Sequence, residues 1–279
     1  MPLRLLSKRY YLLIMLMFLL AGCVTGDSRE RAALLAKKSG LNSQNLQTSR
    51  FELRIWQRIT APAQPVRVYI EGDGYAWVSR TRPSDDPTPR QPTGLMLAAA
   101  DASANVLYLA RPCQFIGPPL PANCGTTWWT DNRFSPTVVQ AMDEALSQSL
   151  QPWPGIQIEL VGYSGGGAIA ALIAARRDDV RSLRTVAGNL DVAYVNAVHN
   201  VSAMPDALSA IDVAPRLANL PQIHFTGSVD STVPPETARR FQQAAGGRCV
   251  RIEQVRGMAH GSDWAAVWPS LLQQQPDCR

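Results

Sequence analysis

The sequence predicts an α/β protein: a mostly parallel central sheet flanked by helices on both faces. Two observations carry that prediction. Short runs of branched apolar residues alternate with longer segments whose apolar residues recur at helical spacing. The composition is also that of a globular chain, with 46% apolar and 18% charged residues among 279 and no long low-complexity tract, which suffices for a sizeable core. Strands that alternate with helices are joined by right-handed crossovers, so both faces of the sheet become covered.

The first element is a targeting device. Basic Arg4, Lys8 and Arg9 precede an apolar run from Tyr11 to Leu20 and the small pair Ala21-Gly22, the three-part build of a secretory signal over residues 1–22. The run is shorter than the roughly 20 apolar residues of a membrane span. Leu20-Ala21-Gly22-Cys23 resembles a bacterial lipobox, which makes Cys23 the expected site of lipidation and the membrane a partner through that lipid. Val24 is not an Asp, so the expected location is the periplasmic face of the outer membrane. Residues 23–50 are polar with Gly and Asn interruptions and read as a tether, which leaves 51–279 as the folded domain.

Within that domain Phe51 to Ile59 alternates like a half-buried edge strand, and Val66 to Ile70 is a second strand before a Gly-rich turn. Strand Val106 to Ala110, helix Pro136 to Leu150 and strand Ile156 to Val161 follow. A helix from Gly166 to Arg176 leads to a strand at Leu183 to Ala187. After an excursion come strand Ile223 to Thr226, helix Pro235 to Ala245, strand Val250 to Val255 and a last helix from about Asp263. The excursion at 191–220 exceeds a usual connection and suggests a small cap or insertion.

Charge excludes one class of function. The three basic residues of the signal account for +3 of the formal +5, and no Lys/Arg stripe interleaves with aromatics, so nucleic acid is not an expected partner. With Cys23 assigned to lipid, Cys113, Cys124, Cys249 and Cys278 form an even set in an exported chain. Proximity favours Cys113–Cys124 and Cys249–Cys278 among the three possible connectivities. No Cys-His spacing resembles a zinc site, so no metal is expected.

The chemistry centres on Gly162-Tyr163-Ser164-Gly165-Gly166, a Gly-x-Ser-x-Gly pattern. Its setting gives it weight: strand Ile156 to Val161 lies directly before it and the apolar helix Ala168 to Ala174 directly after, as a sharp strand-to-helix elbow requires. Small residues at the flanks avoid clashes there, and the Gly165 amide would point at an oxyanion formed on attack by Ser164. A serine needs a base, and the chain has three histidines. His260, in a loop after the last strand, fits. His224 sits inside an apolar strand and reads as a core residue, and His199 as a surface or cap residue. Asp230, after strand Ile223 to Thr226, is the first candidate for the acid that orients the histidine, with Asp191 after the preceding strand as its rival. The Glu71-Gly72-Asp73-Gly74 loop after the second strand suits the other half of an oxyanion hole, through the amide of Asp73 or Gly74.

On these segments the chain resembles the α/β-hydrolase superfamily from about Phe51 to Leu272. The resemblance implies an eight-stranded-type sheet, no metal, no organic cofactor, and acyl transfer to water by a Ser164, Asp230, His260 triad with the Gly165 amide in the oxyanion hole. It implies a serine hydrolase of carboxylic esters or thioesters acting on a small acyl substrate. An amidase or peptidase would use the same residues, and an envelope lipoprotein that binds a ligand without catalysis is the reading from another class. One departure stands out: many esterases of this superfamily carry His where this chain has Glu71. Glu71 and Asp73 would oppose a developing negative charge and are expected to face away from it.

Overall fold

The computed structural model describes residues 27–278. Cys23 and the signal lie outside the described residues. The strands are β1 (Asn42–Gln47), β2 (Glu52–Ile59), β3 (Val66–Ile70), β4 (Asn105–Leu109), β5 (Ile158–Tyr163), β6 (Val180–Val186), β7 (Gln222–Gly227) and β8 (Val250–Val255). They form one sheet in the order β1-β2-β4-β3-β5-β6-β7-β8. β1 and β2 join antiparallel, as do β2 and β4, and every later pairing is parallel.

Strand periodicity distributes the core to two faces. On β3 Val68 faces one cluster and Tyr69 the other, and on β4 Leu107 and Tyr108 divide in the same way. The first face is covered by α3 (Pro136–Leu150), α4 (Gly165–Ala174), α6 (Ala210–Val213) and α7 (Glu236–Ala245). The second takes α1 (Ser28–Lys38), α2 (Thr93–Ala99) and α8 (Trp264–Leu271). The result is a three-layer α/β/α arrangement. Local chemistry sets the helix starts: Pro136 opens α3 with Ser135 accepting from the Val138 amide, and Asp263 caps α8 through the Ala266 amide.

Two expectations are corrected. Residues 28–47 are not a tether, because α1 buries Ala32 and Ala36 and β1 pairs with β2 along its whole length, Leu46 opposite Leu53. Its sequence, Asn-Ser-Gln-Asn-Leu-Gln, buries one residue, so no apolar alternation marks it as a strand. Consequently Phe51 to Ile59 does not contain the edge strand; β2 lies inside the sheet and β1 takes the edge. The excursion also divides. Val192–His199 is α5, but Ala210, Ala214 and Leu217 belong to the core, so its second half is the crossover into β7. Disulfides join Cys113 to Cys124 and Cys249 to Cys278, the latter fastening the C-terminal segment to the start of β8.

Toward the amino ends of the central strands lies a charge cluster. Arg67 on β3 meets Asp101 at 2.7 Å and Glu159 at 2.8 Å, and Asp101 also accepts from the Tyr69 hydroxyl at 2.7 Å. The Trp268 indole donates to that hydroxyl at 2.9 Å. Arg184 on β6 is fully buried beside Glu159, and burial brings its pKa down to about 10.

Candidate active site

The strand order reverses between β4 and β5, which lie on either side of β3, and in such sheets ligands bind beyond the carboxyl ends at that switch point. β3 ends in the loop Glu71 to Gly74, and β5 ends in Tyr163-Ser164.

Ser164 is held at φ 52° and ψ −122°, a backbone conformation that residues with a Cβ rarely adopt, between the end of β5 and the first residue of α4. The glycines around it are sterically required. A Cβ on Gly162 would collide with Gly166, and one on Gly166 with the Ile70 and Glu71 carbonyls at the end of β3. The turn therefore lets α4 approach the sheet closely and aims the serine hydroxyl outward.

His260 follows β8 in a loop, and its Nε2 lies 2.9 Å from Ser164 Oγ. Its Nδ1 lies 2.9 Å from Asp230 Oδ2. The Asp230 side chain is buried, and its other oxygen accepts from the Thr232 and Val233 amides, both at 2.8 Å. Those amides occupy one carboxylate oxygen and leave the other for the imidazole. The His260 carbonyl accepts from the Tyr163 hydroxyl at 3.0 Å and the Trp264 indole at 3.1 Å, and the Tyr163 ring lies 5.4 Å from the imidazole. Burial pushes the Tyr163 phenol above its ordinary range, which keeps it a donor.

The remaining predicted residues have other surroundings. Asp191 caps α5 through the Tyr194 amide at 3.0 Å and pairs with Arg240 at 2.7 Å, so its carboxylate is committed away from His260. His224 is fully buried, contacts Thr185 Oγ1 at 2.9 Å, and is pushed by burial to a pKa of about 3. His199 Nε2 lies 2.7 Å from the Thr232 carbonyl and joins α5 to the Asp230 loop.

The two acids of the loop Glu71 to Gly74 part company. Glu71 faces away: it is buried and accepts from the amides of Gly72, Gly94 and Leu95 and from the Tyr108 hydroxyl, at 3.0 to 3.2 Å for the amides and 2.9 Å for the phenol. Burial raises its pKa against those donors, two of which are the first turn of α2. Asp73, expected to face away, instead lines the cleft wall next to Ser164, where a Cβ on Gly165 would strike its carboxylate. Its charge is matched by Arg111 at 3.2 Å and Arg133 at 3.1 Å. Arg111 also donates to the Arg133 carbonyl, which ties the pair together. Neither arginine is signalled by the sequence around Asp73, since both reach it from distant segments. No described protein group engages the amides of Asp73, Gly74 or Gly165.

Ser164 stands where two clefts of about 660 and 530 Å³ meet. The larger runs between α5 and the loop carrying Trp77 to Thr81, and a neighbouring cleft of about 450 Å³ shares Asn196, Val201 and Met204 with it. Among the described residues no cluster of three or more His, Cys, Asp or Glu could hold a metal ion, and no helix is long and apolar enough to cross a membrane.

No family model and no curated protein matches this chain. Solved structures do. The acylaminoacyl peptidase of Pyrococcus horikoshii superposes with a TM-score of 0.59 at 13% identity over 84% of this chain, which spans 40% of the peptidase's length. A membrane phospholipase A described as a bacterial virulence factor gives 0.56 at 16% identity, over 95% of this chain and 98% of its own. A protein of Acinetobacter baumannii assigned as a lipase gives 0.57 at 13% identity, over 91% and 96%. At these identities the likeness is one of fold, and the fold is that of the α/β hydrolases.

Proposed function

We propose that this chain, built on the α/β-hydrolase fold, is a serine hydrolase that cleaves carboxylic esters or thioesters through an acyl-enzyme on Ser164. The observation that supports this most is the continuous line from Ser164 Oγ through His260 to Asp230, each contact at 2.9 Å, opening into the clefts. With Nδ1–H given to Asp230, Nε2 accepts the hydroxyl proton as Ser164 attacks the acyl carbon. The Gly165 amide, at the head of α4, and the amide of Asp73 or Gly74 receive the developing oxyanion. The tetrahedral intermediate collapses, His260 returns the proton to the leaving group, and water repeats the cycle on the acyl-enzyme.

A ligand-binding reading without catalysis rests on the lipid anchor and on the two acids of the Glu71 to Gly74 loop. Capping of α2 by Glu71 and neutralisation of Asp73 by Arg111 and Arg133 account for the acids otherwise. A peptidase reading draws on the acylaminoacyl peptidase among the structural neighbours, and a panel of esters, thioesters and acyl-peptides would separate the two. A fluorophosphonate probe is expected to label the intact protein and to leave a Ser164→Ala variant unlabelled; equal labelling of both would reject the nucleophile.

The proposal includes lipidation of Cys23 and an outer-membrane, periplasmic location, supported by the signal and lipobox pattern of the sequence. Mass measurement of the mature N-terminus tests it, and a Cys23→Ser variant should leave the lipid-modified membrane fraction.

A further inference from the structure

Six large apolar side chains are exposed among the described residues, and two of them, Trp77 and Val201, line the cleft at Ser164. Three more adjoin its walls in the chain: Val78 follows Trp77, Val198 precedes the cleft-lining His199 on α5, and Val229 precedes Asp230. Val229 is 59% exposed and Trp77 41%. The sixth, Leu34, lies on α1. Single exposed apolar residues are ordinary, but a rim of them around a cleft marks a surface that meets something apolar.

The Trp77 wall has a definite build. It is a narrow hairpin-like tip in which Trp77 bridges Pro83 and the Val78 amide donates to the Arg82 carbonyl at 2.9 Å. The tip carries Arg80 and Arg82 exposed beside Trp77 and Val78, and Arg90 stacks on Tyr75 at its base. Of the two acids in this stretch, Asp86 is taken by Arg29 at 2.5 Å, which leaves Asp85 against three arginines. An exposed indole and aliphatic tip beside free guanidinium groups is the chemistry of the interface of an anionic bilayer, where the ring sits at headgroup depth and the arginines meet phosphates.

The chain's own path points the same way. Because α1 begins at Ser28, only residues 24–27 lie between Cys23 and α1, and the five chain steps from Cys23 to Ser28 reach at most about 17 Å. Arg29 contacts both Asp86 and the Ile116 carbonyl, so the start of α1 lies against the base of the Trp77 loop. A lipid on Cys23 would hold this side of the molecule close to the bilayer.

We propose that the rim formed by Trp77, Val78, Val198, Val201 and Val229 docks on an anionic phospholipid bilayer with the Ser164 cleft facing it, so that the enzyme draws amphiphilic acyl substrates from the lipid surface. The docking itself is independent of the catalytic reading; the substrate clause rests on it.

The test uses the full chain in vesicles of equal parts phosphatidylcholine and phosphatidylglycerol, carrying Ser164→Ala so that turnover plays no part. An environment-sensitive fluorophore is placed at Val78→Cys, at Val229→Cys, or at Asp178→Cys in the exposed loop before β6, at the opposite end of the sheet. Docking predicts that nitroxide-labelled lipid quenches the labels at 78 and 229 and spares the one at 178. Arg80→Gln with Arg82→Gln should lower the docking equilibrium roughly 30-fold, at about 1 kcal/mol for each arginine, and pure phosphatidylcholine should erase the difference between that variant and the parent. Quenching at all three positions or at none would overturn the proposal. So would a spectral change at 78 that appears without lipid as protein concentration rises, which would make a second copy the occupant. If labels 78 and 229 are quenched while fluorophosphonate fails to label Ser164, the surface stands and the catalytic reading falls.

Discussion

The two ends of the sheet hold comparable sets of charged side chains and use them in opposite ways. At the amino ends Arg67, Asp101, Glu159 and Tyr69 close on one another, and Arg184 is sealed in beside them. At the carboxyl ends the Ser164, His260 and Asp230 line opens into a cleft, flanked by amides no described protein group engages and by an Asp73 whose charge two arginines balance. The first arrangement pairs its arginines and carboxylates mostly with one another. The second leaves backbone amides and an imidazole facing a cleft, an arrangement that folding alone does not require.

Substitutions that break one end should spare the other. The largest effect is expected from Ser164→Ala, with ester turnover falling roughly a million-fold while the urea midpoint holds or rises. Next, Asp230→Asn should lower turnover about 10⁴-fold by losing the carboxylate that orients the imidazole. Asp191→Asn should leave turnover within a few-fold and cost stability through the α5 cap and Arg240; the reverse result would transfer the acid role to Asp191. Asp101→Ala removes one of the two carboxylates on Arg67 and the acceptor of the Tyr69 hydroxyl while Glu159 stays on Arg67, so denaturant unfolding should show a loss of about 2 kcal/mol with turnover per folded molecule unchanged.

The smallest effect concerns His224 on β7. Burial holds His224 near a pKa of 3, so below pH 6.5 the unfolded chain binds a proton that the folded chain refuses. Its contribution is complete above pH 6.5 and declines as pH falls toward 3, by about 2 kcal/mol at pH 5. His224→Gln should flatten that part of a stability-against-pH curve, and an unchanged slope would show that His224 is protonated in the fold.

Tyr163 and Trp264 show why some of the site could not be read ahead of the structure. Both donate to the His260 carbonyl, yet one occupies the unspecified position of the serine motif and the other opens a helix after the histidine loop. Nothing in either segment names the other. Arg111 and Arg133 are harder still, because they meet Asp73 only when the loops after β3 and β4 converge. β1 was hidden for a different reason: an edge strand that buries one residue carries almost no hydrophobic pattern, and its partner β2 supplies the order.

Whatever depends on neighbours along the chain is legible in the residues themselves. Branched runs made the strands, helical spacing made the helices between them, and small glycines on both sides of Ser164 made a turn that few other residues would permit. The sequence also favoured the disulfide pairs that form, Cys113–Cys124 and Cys249–Cys278, among three possible connectivities. Only the tertiary structure decided between Asp230 and Asp191 as the partner of His260, turned Glu71 toward α2 and Asp73 toward two arginines, and gathered exposed apolar residues at the cleft. Those outcomes depend on which loops the parallel sheet brings together at its carboxyl end, and a crossover of dozens of residues leaves no local trace of where it returns.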